Sequence, residues 1–314
     1  MAINKLTKAA LAALSYPELD VRKTYKINRK IQRLIHPPIA LTCTIEKTSF
    51  QAEDGFYVPA RIFTPKNLAR KAVLLFFHGG GWVVGDVDSY TATCASLAES
   101  TKSRVIALDY RLAPEFAFPY AVNDSYSALC QVEKAFGKPI VIGDSAGGNI
   151  AAVVCQMARD RGGPPVRAQI LIYPATFHDH TETSPFASVK KFGEGFLLTA
   201  KRICEYMDLY VQDKRNLSNP YFAPLLAEDL SNLPPALLIT AECDPLRDEG
   251  EEYARRLWLA KTPVQTFRIE DALHGFFSLP ATFEQVKKCH RLIDLFLNET
   301  CDDTKPDTLE RDDT

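Results

Sequence analysis

Six short runs, at residues 73–77, 104–108, 139–142, 169–172, 236–240 and 264–269, read as β-strands, and most of them contain a continuous apolar stretch rather than an alternation. A strand with one wet face alternates apolar and polar residues. A run such as VLLFF at 73–77 has no polar side to offer water, so both of its faces must be covered. Helical patterns fill the intervals, at 88–101, 120–136, 146–160, 247–260 and 282–298. Strand, helix, strand repeated in this way predicts an α/β fold: a mostly parallel central sheet flanked by helices. Two earlier runs, 42–48 and 57–63, have a short link and suit an antiparallel pair, giving eight strands in all.

Composition agrees with one large or two ordinary domains. The chain has 314 residues, 46% apolar and 24% charged, enough for a sizeable core. A net charge of −2 provides no global field for nucleic acid or an anionic membrane, so neither is expected as a partner. No apolar run approaches the roughly 18 residues that span a bilayer. The opening MAINKLTKAALAALSYPELD holds only a short apolar stretch at 9–14, which suits an amphipathic helix over 2–14 better than a signal peptide, and a cytoplasmic location is expected. The eight cysteines, Cys43, Cys94, Cys130, Cys155, Cys204, Cys243, Cys289 and Cys301, show no CxxC spacing and are read as reduced thiols packed as small hydrophobes.

Three segments depart from the rhythm. Residues 20–35 predict a helix with Ile27, Ile31, Leu34 and Ile35 at helical spacing; Arg22, Lys26, Arg29 and Arg33 form a basic face, read as solvated rather than membrane-bound, and HPP at 36–38 ends the helix. Between 174 and 233 there is no strand signal; 199–212 reads as a helix, whereas FHDHTETSPFASVKKFGEGFLLT at 177–199 does not. An irregular insertion of this length in a compact domain is usually functional, often a lid. The tail at 301–314, CDDTKPDTLERDDT, has six acidic and two basic residues and little to bury, so disorder is expected there.

The segment PIVIGDSAGGNIAAVV at 139–154 carries the chemistry. A buried strand runs into Gly143-x-Ser145-x-Gly147 and then an alanine-rich helix. A sharp strand-to-helix turn leaves the serine hydroxyl exposed, and the two glycines remove side chains that would collide across it. The helix that follows aims free amides and a positive partial charge at the same point. A serine hydroxyl needs a base. His36 lies beside two prolines, His78 in a glycine loop, His178 and His180 in the insertion, read as a solvated loop, and His290 inside the last helix. His274, in IEDALHGFF, follows the final strand on the sheet edge that also holds Ser145. It is read as the base. An acid to orient it should lie between Ser145 and His274. ALLITAECDPLRDEGEEYARRL at 236–257 offers Glu242, Asp244, Asp248 and Glu249. Asp248 and Glu249 suit the first turn of a helix. Asp244 is preferred over Glu242 on motif alignment more than on geometry, and Asp271 is read as a loop carboxylate.

The loop HGGGW at 78–82 then acquires a purpose. Attack on an ester carbonyl creates an oxyanion, and each amide aimed at it is worth about 3–4 kcal/mol. Ala146, after the serine, supplies one N–H; Gly80 and Gly81 are expected to supply others, with Gly79 a further candidate, because bare backbone can approach closely. His78 is read as a brace for the loop and not as a metal ligand, since no partner stands at ligand spacing.

With HGGGW, GDSAGG, ECDPLRDEG and HGF in this order, and DYRLAPEFAFPYAVND at 109–124, the chain resembles the bacterial branch of the hormone-sensitive lipase family from about residue 55 to 298. The resemblance implies an α/β-hydrolase fold, hydrolysis of small-molecule carboxylic esters of short to medium acyl length, and no cofactor. It puts the triad on Ser145, Asp244 and His274. It also implies a helical cap over 1–40 and 177–215, beside a catalytic domain over 41–176 and 216–300. Amidase, thioesterase or lipase activity on the same triad is the first alternative. A non-catalytic ligand-binding homologue, like the plant gibberellin receptors, is disfavoured by the presence of His274. Oligomeric state is open, a homodimer included. Trp82, Phe196, Leu197 and Phe276 read equally as a substrate pocket and as core. Arg111 and Glu115 are expected to pair and brace their loop.

Overall fold

The computed structural model describes residues 20–34 and 43–300. Eight strands form one sheet: β1 (Cys43–Gln51), β2 (Tyr57–Pro65), β3 (Val73–Phe77), β4 (Arg104–Leu108), β5 (Ile140–Asp144), β6 (Ala168–Ile172), β7 (Ala236–Cys243) and β8 (Val264–Leu273). Their spatial order is β1-β2-β4-β3-β5-β6-β7-β8. β2 runs antiparallel to both of its neighbours, and every pairing from β4 across to β8 is parallel. Helices supply the crossovers: α2 (Thr91–Thr101), α3 (Tyr120–Phe136), α4 (Ala146–Asp160) and α7 (Arg247–Leu259), with α8 (Glu284–Thr300) after the last strand.

The uninterrupted apolar runs are explained by this arrangement. β3, β5 and β6 are buried at every residue. Alternate side chains enter two cores: Leu75, Phe77, Val141 and Leu171 join the faces of α3, α4 and α7, while Leu74, Phe76, Ile140 and Ile170 join those of α2 and α8. The helix after the serine, α4, is buried from Ala146 to Ala158. Bare Gly147 and Gly148 let its first turn sit against the backbone of β3 and β5.

Several expectations need correcting. Within 177–199 a short helix forms, α5 (Ala187–Phe192). A six-residue helix has no stability of its own; here the carboxylate of Asp248 accepts the Ser188 N–H at 2.7 Å and the Ser188 hydroxyl donates to the Pro245 carbonyl at 2.8 Å, so tertiary contacts hold it. The helix expected at 199–212 is α6 (Ala200–Tyr210). Asp271 lies within β8 with φ 54°, at an irregularity in the β7–β8 register, rather than in a loop. Arg111 and Glu115 do not pair. Arg111 is turned inward onto Asp124 (2.6 Å) and Asp54 (2.6 Å), while Glu115 meets Arg29.

The N-terminal helix α1 (Val21–Leu34) is oriented opposite to its apolar spacing. Ile27 and Ile31 are 58% and 47% exposed, whereas Val21 is buried and Tyr25 packs on the core. Arg29 faces the protein. Of the expected elements, the helix at 2–14 and the tail at 301–314 lie outside the described residues. No described helix is long and apolar enough to cross a membrane.

Candidate active site

The strand-to-helix elbow is visible in backbone terms. Ser145 sits between β5 and α4 with φ 55° and ψ −118°, a conformation that costs a non-glycine residue on the order of 1–3 kcal/mol. Its own backbone holds it: the N–H donates to the Ile172 carbonyl at 2.9 Å and the carbonyl accepts from Asn149 at 3.0 Å. A Cβ on Gly147 would collide with the Phe77 carbonyl, and one on Gly143 with Gly147. The elbow can therefore form only if both positions stay bare.

β7, β8 and the elbow converge at one end of the sheet. The Ser145 hydroxyl lies 2.8 Å from His274 Nε2, and His274 Nδ1 lies 2.7 Å from the Asp244 carboxylate. Asp244 is fully buried, and its other oxygen accepts the Leu246 N–H at 2.9 Å. A carboxylate on Nδ1 fixes that nitrogen as the donor and leaves Nε2 free to accept the serine proton. The rival acids are occupied elsewhere. Glu242 accepts the Asp271 N–H at 2.7 Å, and Asp248 and Glu249 fill the first turn of α7. The sequence pattern thus brings Ser145, Asp244 and His274 together.

The glycine loop lies beside this line. Gly80 and Gly81 have φ 121° and 59°. The Gly80 carbonyl accepts Val83 N–H at 3.1 Å and Val84 N–H at 2.9 Å, closing the loop into a tight turn. The Gly80 and Gly81 N–H groups donate to no backbone acceptor among the described residues. Ala146, first in α4, is one of the helix's unsatisfied donors. Gly79 differs: its N–H donates to Asp144 at 2.9 Å and is lost to an oxyanion. His78 is buried, stacks on Tyr110 at 4.3 Å, and has Nδ1 2.7 Å from the Gly79 carbonyl; burial lowers its pKa, as suits a neutral brace. Among the described residues no group of three or more His, Cys, Asp or Glu is placed to hold a metal ion.

Two features escaped sequence reasoning. Asp144, immediately before the serine, is buried and accepts from Gly79 N–H, Tyr90 hydroxyl (3.0 Å) and Tyr173 hydroxyl (3.3 Å). It ties the glycine loop to the elbow, and burial raises its carboxyl to about 6. A charged residue closing an otherwise apolar strand was its signal. The second is a buried bond at 2.5 Å between His180 Nε2 and Glu249, whose other oxygen accepts Thr176 N–H at 2.6 Å and Phe177 N–H at 3.2 Å. His180 is therefore a latch between insertion and α7, not part of a solvated loop. Of the two histidines in the insertion, His178 is the half-buried one, and the exposed stretch follows at Thr181, Glu182 and Thr183.

The aromatic candidates separate. Trp82 is buried and stacked on Tyr210 at 4.7 Å; Phe276 is buried edge-on to Tyr173 at 5.2 Å. Both serve as core here. Phe196 lies edge-on to Phe192 at 5.1 Å, in one apolar cluster with Cys243 and Leu273, the residues preceding Asp244 and His274. Leu197 is half-buried with φ 67°. Tyr206, on α6, lies over Gly81, where a Cβ would collide with its ring.

A serine, imidazole and carboxylate in line, beside bare amides at the edge of a parallel sheet, match a known group of proteins. The sequence profile of the alpha/beta hydrolase fold family covers residues 74–278. The chain belongs to this α/β-hydrolase family. It is 42% identical over 235 residues to the carboxylic ester hydrolase LipN of Mycobacterium tuberculosis, which spans 71% of this chain and 61% of LipN. It is 36% identical over 241 residues to an arylesterase of Saccharolobus solfataricus, 74% of this chain and 77% of that one. Its fold superposes on a hyperthermophilic esterase from the archaeon Pyrobaculum calidifontis with TM-score 0.83 and 35% identity, covering 95% of this chain and 99% of the other. This α/β-hydrolase is a carboxylesterase.

Proposed function

We propose that Ser145 is the nucleophile of this carboxylesterase, His274 its general base and acid, and Asp244 the group that orients the imidazole. The observation that carries the reading is the continuous relay Ser145 Oγ–His274–Asp244, with steps of 2.8 and 2.7 Å. His274 Nε2 takes the hydroxyl proton as Oγ bonds to the ester carbonyl carbon. The carbonyl oxygen becomes an oxyanion beside the Gly80, Gly81 and Ala146 amides. The tetrahedral adduct collapses, breaking the bond to the alcohol, which leaves with the proton from His274. Water then attacks the acyl-enzyme by the same route and releases the acid. Asp244 stays ionised throughout.

The substrates we propose are small esters of short to medium acyl length; the arylesterase relative makes p-nitrophenyl esters apt probes. α1 and the insertion at 177–215 form the cap in this reading. Its support is that Tyr206 covers Gly81 and that Phe192 and Phe196 pack against Cys243 and Leu273. Hydrolysis of p-nitrophenyl esters from acetate to palmitate tests both halves, with Ser145→Ala alongside. Activity should peak at short chains and fall in the variant by roughly 10⁴-fold or more. Turnover retained in Ser145→Ala would refute the nucleophile assignment, and a peak at long chains would refute the substrate class.

A further inference from the structure

We infer that Arg29, on the N-terminal helix, is a positioning residue for the oxyanion loop; the inference rests on the assignment of the Gly80 and Gly81 amides proposed above. Three glycines give that loop wide conformational freedom, yet amides that stabilise a transition state must be held within a fraction of an ångström. The loop needs an external brace.

Arg29 supplies one. Its Nε donates to the Val83 carbonyl at 2.7 Å and its Nη2 to the Ala113 carbonyl at 2.7 Å. Nη1 and Nη2 also bond the Glu115 carboxylate at 3.1 and 3.0 Å, which holds the guanidinium in its plane. The two carbonyls belong to segments that are themselves joined, since Ala113 N–H donates to the Trp82 carbonyl at 2.9 Å. Val83 N–H in turn donates to the Gly80 carbonyl. One planar fork therefore fixes the peptide that closes the turn. A lysine, with a single compact ammonium, cannot reproduce the fork.

The other end of the same helix holds the roof. The N–H of Val21 donates to Glu205 at 2.9 Å, and Tyr206, the next residue, lies over Gly81. The chain of contacts closes on itself: Arg29, the Val83 turn, Gly81, Tyr206, Glu205, Val21 and back along α1. This accounts for a basic residue turned inward on a helix that leaves two isoleucines in water.

The test compares Arg29→Met and Arg29→Lys with wild type and with Lys26→Ala, an exposed position on the same helix. Active sites are counted by fluorophosphonate titration, so that loss of folded protein does not enter. Turnover of p-nitrophenyl butyrate per titrated site and inhibition by an aryl trifluoromethyl ketone are then measured. The ketone carbon bonds to Ser145 Oγ, the proton passes to His274, and the oxygen becomes an oxyanion. In Arg29→Met, kcat per site should fall about 10-fold and ketone affinity by a similar factor, with KM little changed. Arg29→Lys should lie between it and wild type, and Lys26→Ala should match wild type. Wild-type kcat per site and ketone affinity in Arg29→Met would overturn the inference. The underlying site reading fails separately, if Ser145→Ala keeps its turnover or the wild type binds no ketone.

Discussion

Asp144→Asn probes the buried carboxylate that joins the glycine loop to the elbow. Asp144 is 2% exposed and accepts from three donors, and burial nevertheless raises its pKa from 3.8 to about 6. A folded-state value above the unfolded one means that the native protein holds this proton more tightly. The associated stability is complete below the unfolded value and is lost as pH climbs through the folded one. The displacement from 3.8 to about 6 amounts to about 3 kcal/mol, at about 1.4 kcal/mol per pH unit, most of it between pH 4 and 7. Asparagine carries no charge and lacks this dependence. Its amide keeps one accepting oxygen in place of two, so it cannot serve both the Gly79 N–H and the two tyrosine hydroxyls, a cost that does not change with pH. The diagnostic quantity is therefore the difference in Tm between variant and wild type at each pH. Measured by calorimetry from pH 4 to 7.5, it should move in the variant's favour by roughly 6 °C, at about 2 °C per kcal/mol for a chain of this size. Parallel Tm curves would refute the argument that burial governs this carboxyl.

Gly81→Ala places a methyl against the Tyr206 ring at φ 59°, and kcat/KM should fall about 100-fold. Adding Tyr206→Ala should restore part of that loss; no recovery would show that the ring is not the obstacle. Glu249→Ala removes the acceptor of two backbone amides and the partner of His180 from a fully buried site, so urea denaturation should register a loss of about 3–5 kcal/mol. A loss below about 1 kcal/mol would mean that the insertion is not latched there.

The sequence by itself determined the sheet and pointed to the serine and the histidine at its edge. Strands buried on both faces leave an unbroken apolar signature in VLLFF, and that signature is local. The elbow is legible for a related reason: Gly143 and Gly147 are required by collisions only a few residues away along the chain or with the adjoining strand. His274 could be named because a parallel sheet delivers all its strand ends to one edge, whereas Asp244 was preferred on motif alignment more than on geometry. What remained for the tertiary structure were contacts between segments distant in the chain. Glu242 and Asp244 differ by two residues, and only the β7–β8 irregularity assigns one to the Asp271 amide and the other to His274. His180 becomes a latch only because Glu249, 69 residues on, is buried against it. The isoleucines of α1 predicted the wrong inward face, since a 14-residue helix orients by all its partners. Two backbone carbonyls and Glu115, at separations of 54 to 86 residues, outweighed two apolar side chains. Periodicity records what a segment prefers alone; which carbonyls await an arginine is decided when the loops meet.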